Sequence, residues 1–255
     1  MILKRLLILI LLLGVVPVVY SQDEDDETIG CYSTFEENKI YPRVNVVPYD
    51  NEKDISKLGY RKSSSYMNIN GEWLFKLGKG DKVLERKNIE DTSLLKLSEW
   101  GKMNVPGNWI VDGKKVVAPP ITNMLAISSV NNYVGLYYRE ISLPYDWNGQ
   151  TIYLQIGAAK SAYTVWVNGM YVGYSEDSKT PSDFDITQYL KWKEGDKNNI
   201  IIQVESNSQG SLLEDKLPKS FNGIERDVFL YSKPFVNISD YSVVCDYQPR
   251  TGTGT

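Results

Sequence analysis

Histidine is absent from the 255 residues, and cysteine occurs only twice, at Cys31 and Cys245. Without an imidazole there is no Ser-His-Asp triad, no Cys-His pair and no histidine-ligated metal. Two cysteines at opposite ends of a chain build no disulfide framework. A Cys31–Cys245 bridge, two free thiols and an interchain bond all stay open. No glycine-rich loop joins a strand to a helix, so nucleotide binding has no support. Basic charge is scarce as well: 28 Lys and Arg face 32 Asp and Glu, a net charge of −4. That balance gives no electrostatic footprint for nucleic acid.

Long apolar runs are missing with one exception, "MILKRLLILILLLGVVPVVYS". Lys4 and Arg5 form a basic start, an apolar stretch follows, and Val19 and Ser21 supply small residues at a cleavage position. Leu6 to Val16 is too short to cross the ~30 Å of a bilayer core, and Pro17 interrupts it. The expectation is a cleaved signal peptide over 1–21, a secreted or periplasmic product, and no stable membrane span. Losing Lys4 and Arg5 takes the net charge from −4 to −6. The acidic run "DEDDE" after it has no EF-hand spacing and reads as solvated leader. "NIS" at Asn237 is the only glycosylation sequon.

Beyond the leader the sequence is built of strand signals. Residues 22–60 read as an extended arm, because Pro42 and Pro48 discourage helix. "YMNINGEWLFKL" alternates with Trp73 and Phe75 on one face and Leu74 and Lys76 on the other. "GLYYREISL", "QTIYLQIGAAKSAYTVWVNG", "NNIIIQVES" and "RDVFLYSKP" continue the pattern, separated by Gly, Pro and Asn-Gly signals. Asn168-Gly169 predicts a two-residue type I′ hairpin, which needs φ > 0 at both central positions. Helical period is weak everywhere, and "DITQYLKW" predicts a turn or two. Many short strands without alternating helices predict an all-β antiparallel sandwich or barrel.

Four carboxylate pairs occur: Glu176/Asp177, Asp183/Asp185, Glu214/Asp215 and Glu225/Asp227. Neighbours along a strand point to opposite faces, so they suit surface charge or loop capping better than paired acid–base work. Eighteen Tyr and six Trp supply either sugar platforms or sandwich core.

Taken in order, "SSSYMNINGEWLFKL", "VPGNW", "PPITN", "NNYVGLYYREISLP", "SAYTVWVNGMYVGYSEDSKTPSDFDITQYL" and "NGIERDVFLYSKPFVNISDY" resemble the N-terminal sugar-binding domain of glycoside hydrolase family 2, of β-galactosidase type. The resemblance implies a jelly-roll, galactose-binding-like β-sandwich over 61–234, with Trp166 in its core. Residues 235–255 look like the start of a following immunoglobulin-like domain. It also implies two sugar-facing residues. Asn132, opening "NYVGLY", would hydrogen-bond sugar hydroxyls; Asp227, ending "GIERD", would bind a galactosyl hydroxyl and a sodium ion. The plainer reading makes Asn132 a turn residue and pairs Asp227 with Arg226 or a turn. Sequence departures from the family lie close by: Tyr133 replaces a Pro, Glu225 a Phe, and Leu217 and Lys219 an acidic residue and a Trp.

In whole enzymes of that family magnesium and sodium are cofactors; for this chain the resemblance implies none beyond sodium at Asp227. The family's catalytic glutamates belong to a barrel with no counterpart in these residues. The expected partners are a β-galactoside or related carbohydrate and a separate catalytic-barrel segment, and the chain alone is expected to be inactive. The rival readings are a stand-alone secreted carbohydrate-binding module and a non-functional remnant.

Overall fold

The computed structural model describes residues 35–44, 46–55, 59–80, 89–111, 113–118, 132–213, 221–249 and 251–254. The leader, the acidic run, Cys31, "PPITN" and most of "LEDKLPK" lie outside the described residues. In chain order the strands are β1 (Glu36–Glu37), β2 (Tyr66–Asn68), β3 (Gly71–Lys79), β4 (Gly101–Val105), β5 (Ile110–Val111), β6 (Lys114–Lys115), β7 (Tyr133–Ile141), β8 (Thr151–Ile156) and β9 (Ala159–Lys160). They continue with β10 (Ala162–Val167), β11 (Met170–Ser175), β12 (Ser182–Asp185), β13 (Asn198–Glu205), β14 (Gly223–Ile224), β15 (Val228–Lys233), β16 (Tyr247–Gln248) and β17 (Thr253–Gly254). Short helices accompany them, among them α1 (Glu52–Ile55) and α2 (Gln209–Leu213). "DITQYLKW" forms one 3₁₀ turn, Thr187–Tyr189.

The expected all-β sandwich is present. A seven-stranded sheet runs β1-β11-β10-β13-β7-β3-β4, and a four-stranded sheet runs β12-β8-β15-β2. All of these neighbours pair antiparallel. Period-2 alternation decides which side chains meet between the sheets. Trp73 and Phe75 of β3, Tyr137 of β7, Val165 and Val167 of β10, and Ile200, Ile202 and Val204 of β13 face Ile152, Leu154, Ile156, Phe184, Val228 and Leu230. Each such side chain removed from water stabilises the fold by about 1.5–3 kcal/mol.

The outer faces are covered too. Val134, Leu136, Tyr138, Trp166 and Ile201 pack under Ile89, Leu95 and Trp100. Trp166 is therefore core, buried to 4% exposure. On the smaller sheet the arm supplies Ile40 and Val47 over Tyr153, Phe229 and Tyr231. Arg43 lies over the Tyr153 ring at 4.7 Å, and its Nη2 donates to the Tyr231 hydroxyl at 3.3 Å.

Two glycines are required by their surroundings. At Gly135 a Cβ would stand 2.6 Å from the Trp109 ring and 2.9 Å from Phe75, so only glycine lets Trp109 cross β7 and donate to the Tyr137 hydroxyl at 2.7 Å. Asn168 and Gly169 have φ of 53° and 80°, as the type I′ turn requires. A Cβ on Gly169 would also meet the Glu90 carbonyl at 2.3 Å. Beyond Lys233, residues 234–246 carry no regular structure; Phe235, Val236, Val243 and Val244 are exposed.

Candidate functional site

Register fixes two ends of the large sheet. At one end β3 finishes, β7 begins and β13 finishes: Lys79 pairs with Tyr133, and Val134 with Glu205. At the other end Ile141 pairs with Asn198, and β10 turns through Asn168-Gly169.

Asn132 sits at the first end and is buried to 1% exposure. Its Nδ2 donates to the Asn207 carbonyl at 2.8 Å. Its Oδ1 accepts from the Ser206 hydroxyl at 2.5 Å and from the Asn207 N–H at 3.0 Å. The amide thus ties the start of β7 to the chain leaving β13. Ser206 reciprocates, with its hydroxyl accepting from the Tyr133 N–H at 3.1 Å.

Two buried carboxylates stand nearby: Glu176, which its sequence neighbours assigned to surface charge or loop capping, and Glu205, which no sequence pattern singled out. Glu176, at 4% exposure, accepts from the Tyr174 hydroxyl at 2.7 Å and from the Gly210 N–H. It thereby anchors α2. Glu205 is at 2% exposure. Burial pushes its carboxyl up to about 8, and the Glu176 charge pushes the same way. The end is therefore a buried polar layer: Asn132, Ser161, Glu176, Glu205, Ser206, Asn207 and Ser208 all lie below 9% exposure. Burying so many polar groups is costly unless they are hydrogen-bonded, and these bonds hold the chain on both sides of β13's exit. The available signal was the polar run "ESNS" directly behind an isoleucine-rich strand.

Asp227 lies elsewhere. Its Oδ1 accepts from Asn70 Nδ2 at 2.9 Å, and its Oδ2 pairs with Arg61, rather than with Arg226. Asn70 in turn accepts from the Val228 N–H at 2.8 Å. Asn70 precedes Gly71 at the start of β3, whereas Asn132 lies beyond Lys79 at its finish. Asn132 and Asp227 share no hydrogen-bond partner: Asp227 is held by Asn70 and Arg61, and Asn132 by Ser206 and Asn207. The sodium ion implied for Asp227 does not fit either, because the Arg61 guanidinium already stands against that carboxylate. Among the described residues no group of three or more His, Cys, Asp and Glu could hold a metal ion.

The carboxylate pairs noted in sequence divide. Asp177 and Asp185 cap turns, accepting from the N–H groups of Thr180 and Thr187 at 3.3 and 3.0 Å. Asp183 instead accepts from the Tyr231 hydroxyl and Gln155 at 2.8 and 2.7 Å, and Glu225 pairs with Lys179.

Comparison with known proteins places residues 66–234 within the family described as glycosyl hydrolases family 2, sugar binding domain. A β-galactosidase of Priestia megaterium is 34% identical over 222 residues, covering 82% of this chain and 21% of the relative. One of Halalkalibacterium halodurans is 35% identical over 163 residues, 63% of this chain and 15% of its own length. The chain thus spans about a fifth of the curated relatives it matches. Among solved structures, a β-glucuronidase from glycoside hydrolase family 2 aligns with a TM-score of 0.50 and 20% identity, over 68% of this chain and 18% of that one. That likeness is one of fold alone. No helix among the described residues is long and apolar enough to cross a membrane.

Proposed function

The chain belongs to the glycosyl hydrolases family 2 sugar-binding domains, and on that premise we propose that it recognises a terminal β-galactoside for a β-galactosidase-like glycosidase, using the end of the sandwich that Asn132 organises. The observation carrying this is the extent of the match. Residues 66–234 coincide with the sandwich from the start of β2 to the end of β15, and the relatives named above are β-galactosidases.

The chemistry assigned to these residues is binding and positioning. Retaining glycoside hydrolysis needs two carboxyl groups about 5–5.5 Å apart on either side of the sugar. Glu176 and Glu205 are closed off from solvent and committed to the fold, so neither flanks a substrate. Asn132 is a positioning residue: it sets the 206–207 segment, while Glu176 separately holds the start of α2 through the Gly210 N–H. Loop hydroxyls, amides and backbone groups held this way both donate to and accept from a sugar diol. Recognition by a few such hydrogen bonds gives millimolar affinity, about −4 kcal/mol.

Titration of the purified chain with lactose tests the reading, read at the backbone amides of 132–134 and 206–211. A chromogenic β-galactoside tests the division of labour: binding without turnover is expected. Hydrolysis that survives purification and is lost on mutating a carboxylate of this chain overturns it. The leader reading adds secretion to the proposal; intact mass of exported material starting near Gln22 is the corresponding check.

A further inference from the structure

We propose a second saccharide site at the opposite end of the sandwich from Asn132, in the groove between Tyr145 and Trp192. The groove has a volume of about 670 Å³ and opens between the segment leaving β7 and the loop that leads into β13. That size suits a mono- or disaccharide.

One of its two aromatic walls, Trp192, is unlike the protein's other tryptophans. Five of the six tryptophans, Trp73, Trp100, Trp109, Trp147 and Trp166, are buried to 8% exposure or less. Trp192 is only half-buried; it packs against the inter-sheet core and also lines the groove. Tyr145 is 70% exposed and opens the 3₁₀ turn Tyr145–Trp147. A pyranose has a face of C–H groups and a rim of hydroxyls. The face suits a flat aromatic ring, and the rim needs donors and acceptors beside it.

The rim is supplied. Lys191, Lys193, Glu194 and Asp196 line the groove. Neither lysine, nor Glu194, has an ion-pair partner among the described residues. Two cations against two anions leave the groove near neutrality, which favours an uncharged hexose over a uronate or sulfated sugar. The loop is also held in place before any ligand arrives. Asp196 Oδ2 accepts from the Lys193 N–H at 2.7 Å, and the Asp196 N–H donates to the Lys193 carbonyl at 2.9 Å. Asn198 accepts from the Lys191 N–H at 2.8 Å and donates to its carbonyl at 3.1 Å. Pre-ordering of this kind reduces the entropy lost on binding.

The test uses the full chain and the one tryptophan that meets solvent. Acrylamide quenching of tryptophan fluorescence should report mainly Trp192. Lactose should protect it with a midpoint of ~1–10 mM. Tyr145→Ala, at an exposed position, should weaken that protection about tenfold with an unchanged melting temperature. Trp192→Phe should remove the quenchable signal, and Asn132→Ala should leave the midpoint where it was, which separates this site from the one proposed above. Quenching unaffected by ~100 mM lactose, or protection that Tyr145→Ala does not alter, would overturn the proposal.

Discussion

The Asn168 carboxamide clasps the Asn198 carboxamide, donating to its Oδ1 at 2.7 Å across the end of the large sheet. The same Nδ2 donates to the Tyr189 carbonyl at 2.7 Å, and Asn168 Oδ1 accepts from the Asn199 N–H at 3.0 Å. The hairpin turn is thus tied to the start of β13 and to the 3₁₀ turn before it. Asn is selected at this position twice over: it tolerates φ of 53° and its amide supplies three bonds.

Gly169→Val tests the turn. A β-branched residue resists φ of 80°, and its Cβ would stand 2.3 Å from the Glu90 carbonyl. Strain and collision together should cost about 2–4 kcal/mol, lowering the melting temperature by roughly 5–10 °C. An unchanged melting temperature would refute the turn's role.

Asn132→Ala separates a positioning amide from a sugar ligand. The variant strands the Ser206 hydroxyl and the Asn207 N–H in a site at 1% exposure. An expected loss of about 2–4 kcal/mol follows from two buried polar groups left without partners. Thermal unfolding measures it without any sugar present. A variant as stable as the parent would show that the amide is not holding this end together.

The strands and the turn were legible because they depend on neighbours in sequence. Trp73 and Phe75 alternate with Leu74 and Lys76, and Asn168-Gly169 carries its own φ requirement. Contacts between distant segments were not legible. Nothing near Arg43 announces Tyr153, nothing near Gly135 announces Trp109, and Asn132 finds its partners at 206–207. Glu205 misleads for a related reason: on an alternating strand a Glu reads as a solvent-facing position, yet here the outer face is itself covered. The resemblance located the family correctly, but it did not show that the Asn132 amide is taken up by Ser206 and Asn207 or that Asp227 pairs with Arg61.

Glu205→Gln tests the buried carboxyl. Its folded value of about 8 lies above the unfolded carboxylate value near 4.3. The folded state therefore holds the proton more tightly. Stability from this group is fully present below about pH 4 and is lost progressively as pH rises to about 8. Melting temperature measured from pH 4 to 8 should fall more in the parent than in the Gln variant, and the variant should be the more stable at pH 8. Parallel pH curves would contradict the assignment.

Asp227 should behave as half of an ion pair. Replacing sodium by potassium at constant ionic strength should leave the melting temperature unchanged, because Arg61 already stands at the carboxylate. Asp227→Ala should have a small effect that shrinks with added salt, since the Arg61 side chain is 61% exposed. A sodium-specific stabilisation that disappears in Asp227→Ala would instead place an ion there.

The central claim, that this sandwich recognises a β-galactoside at its Asn132 end, is met most directly by ¹H–¹⁵N NMR of the intact chain titrated with lactose. The account predicts progressive shifts at the amides of 132–134 and 206–211, with a midpoint of ~1–10 mM, and weaker shifts with maltose, which offers no β-galactosyl group. Amides in those two segments that stay fixed through ~100 mM lactose, while the protein remains folded, would contradict it.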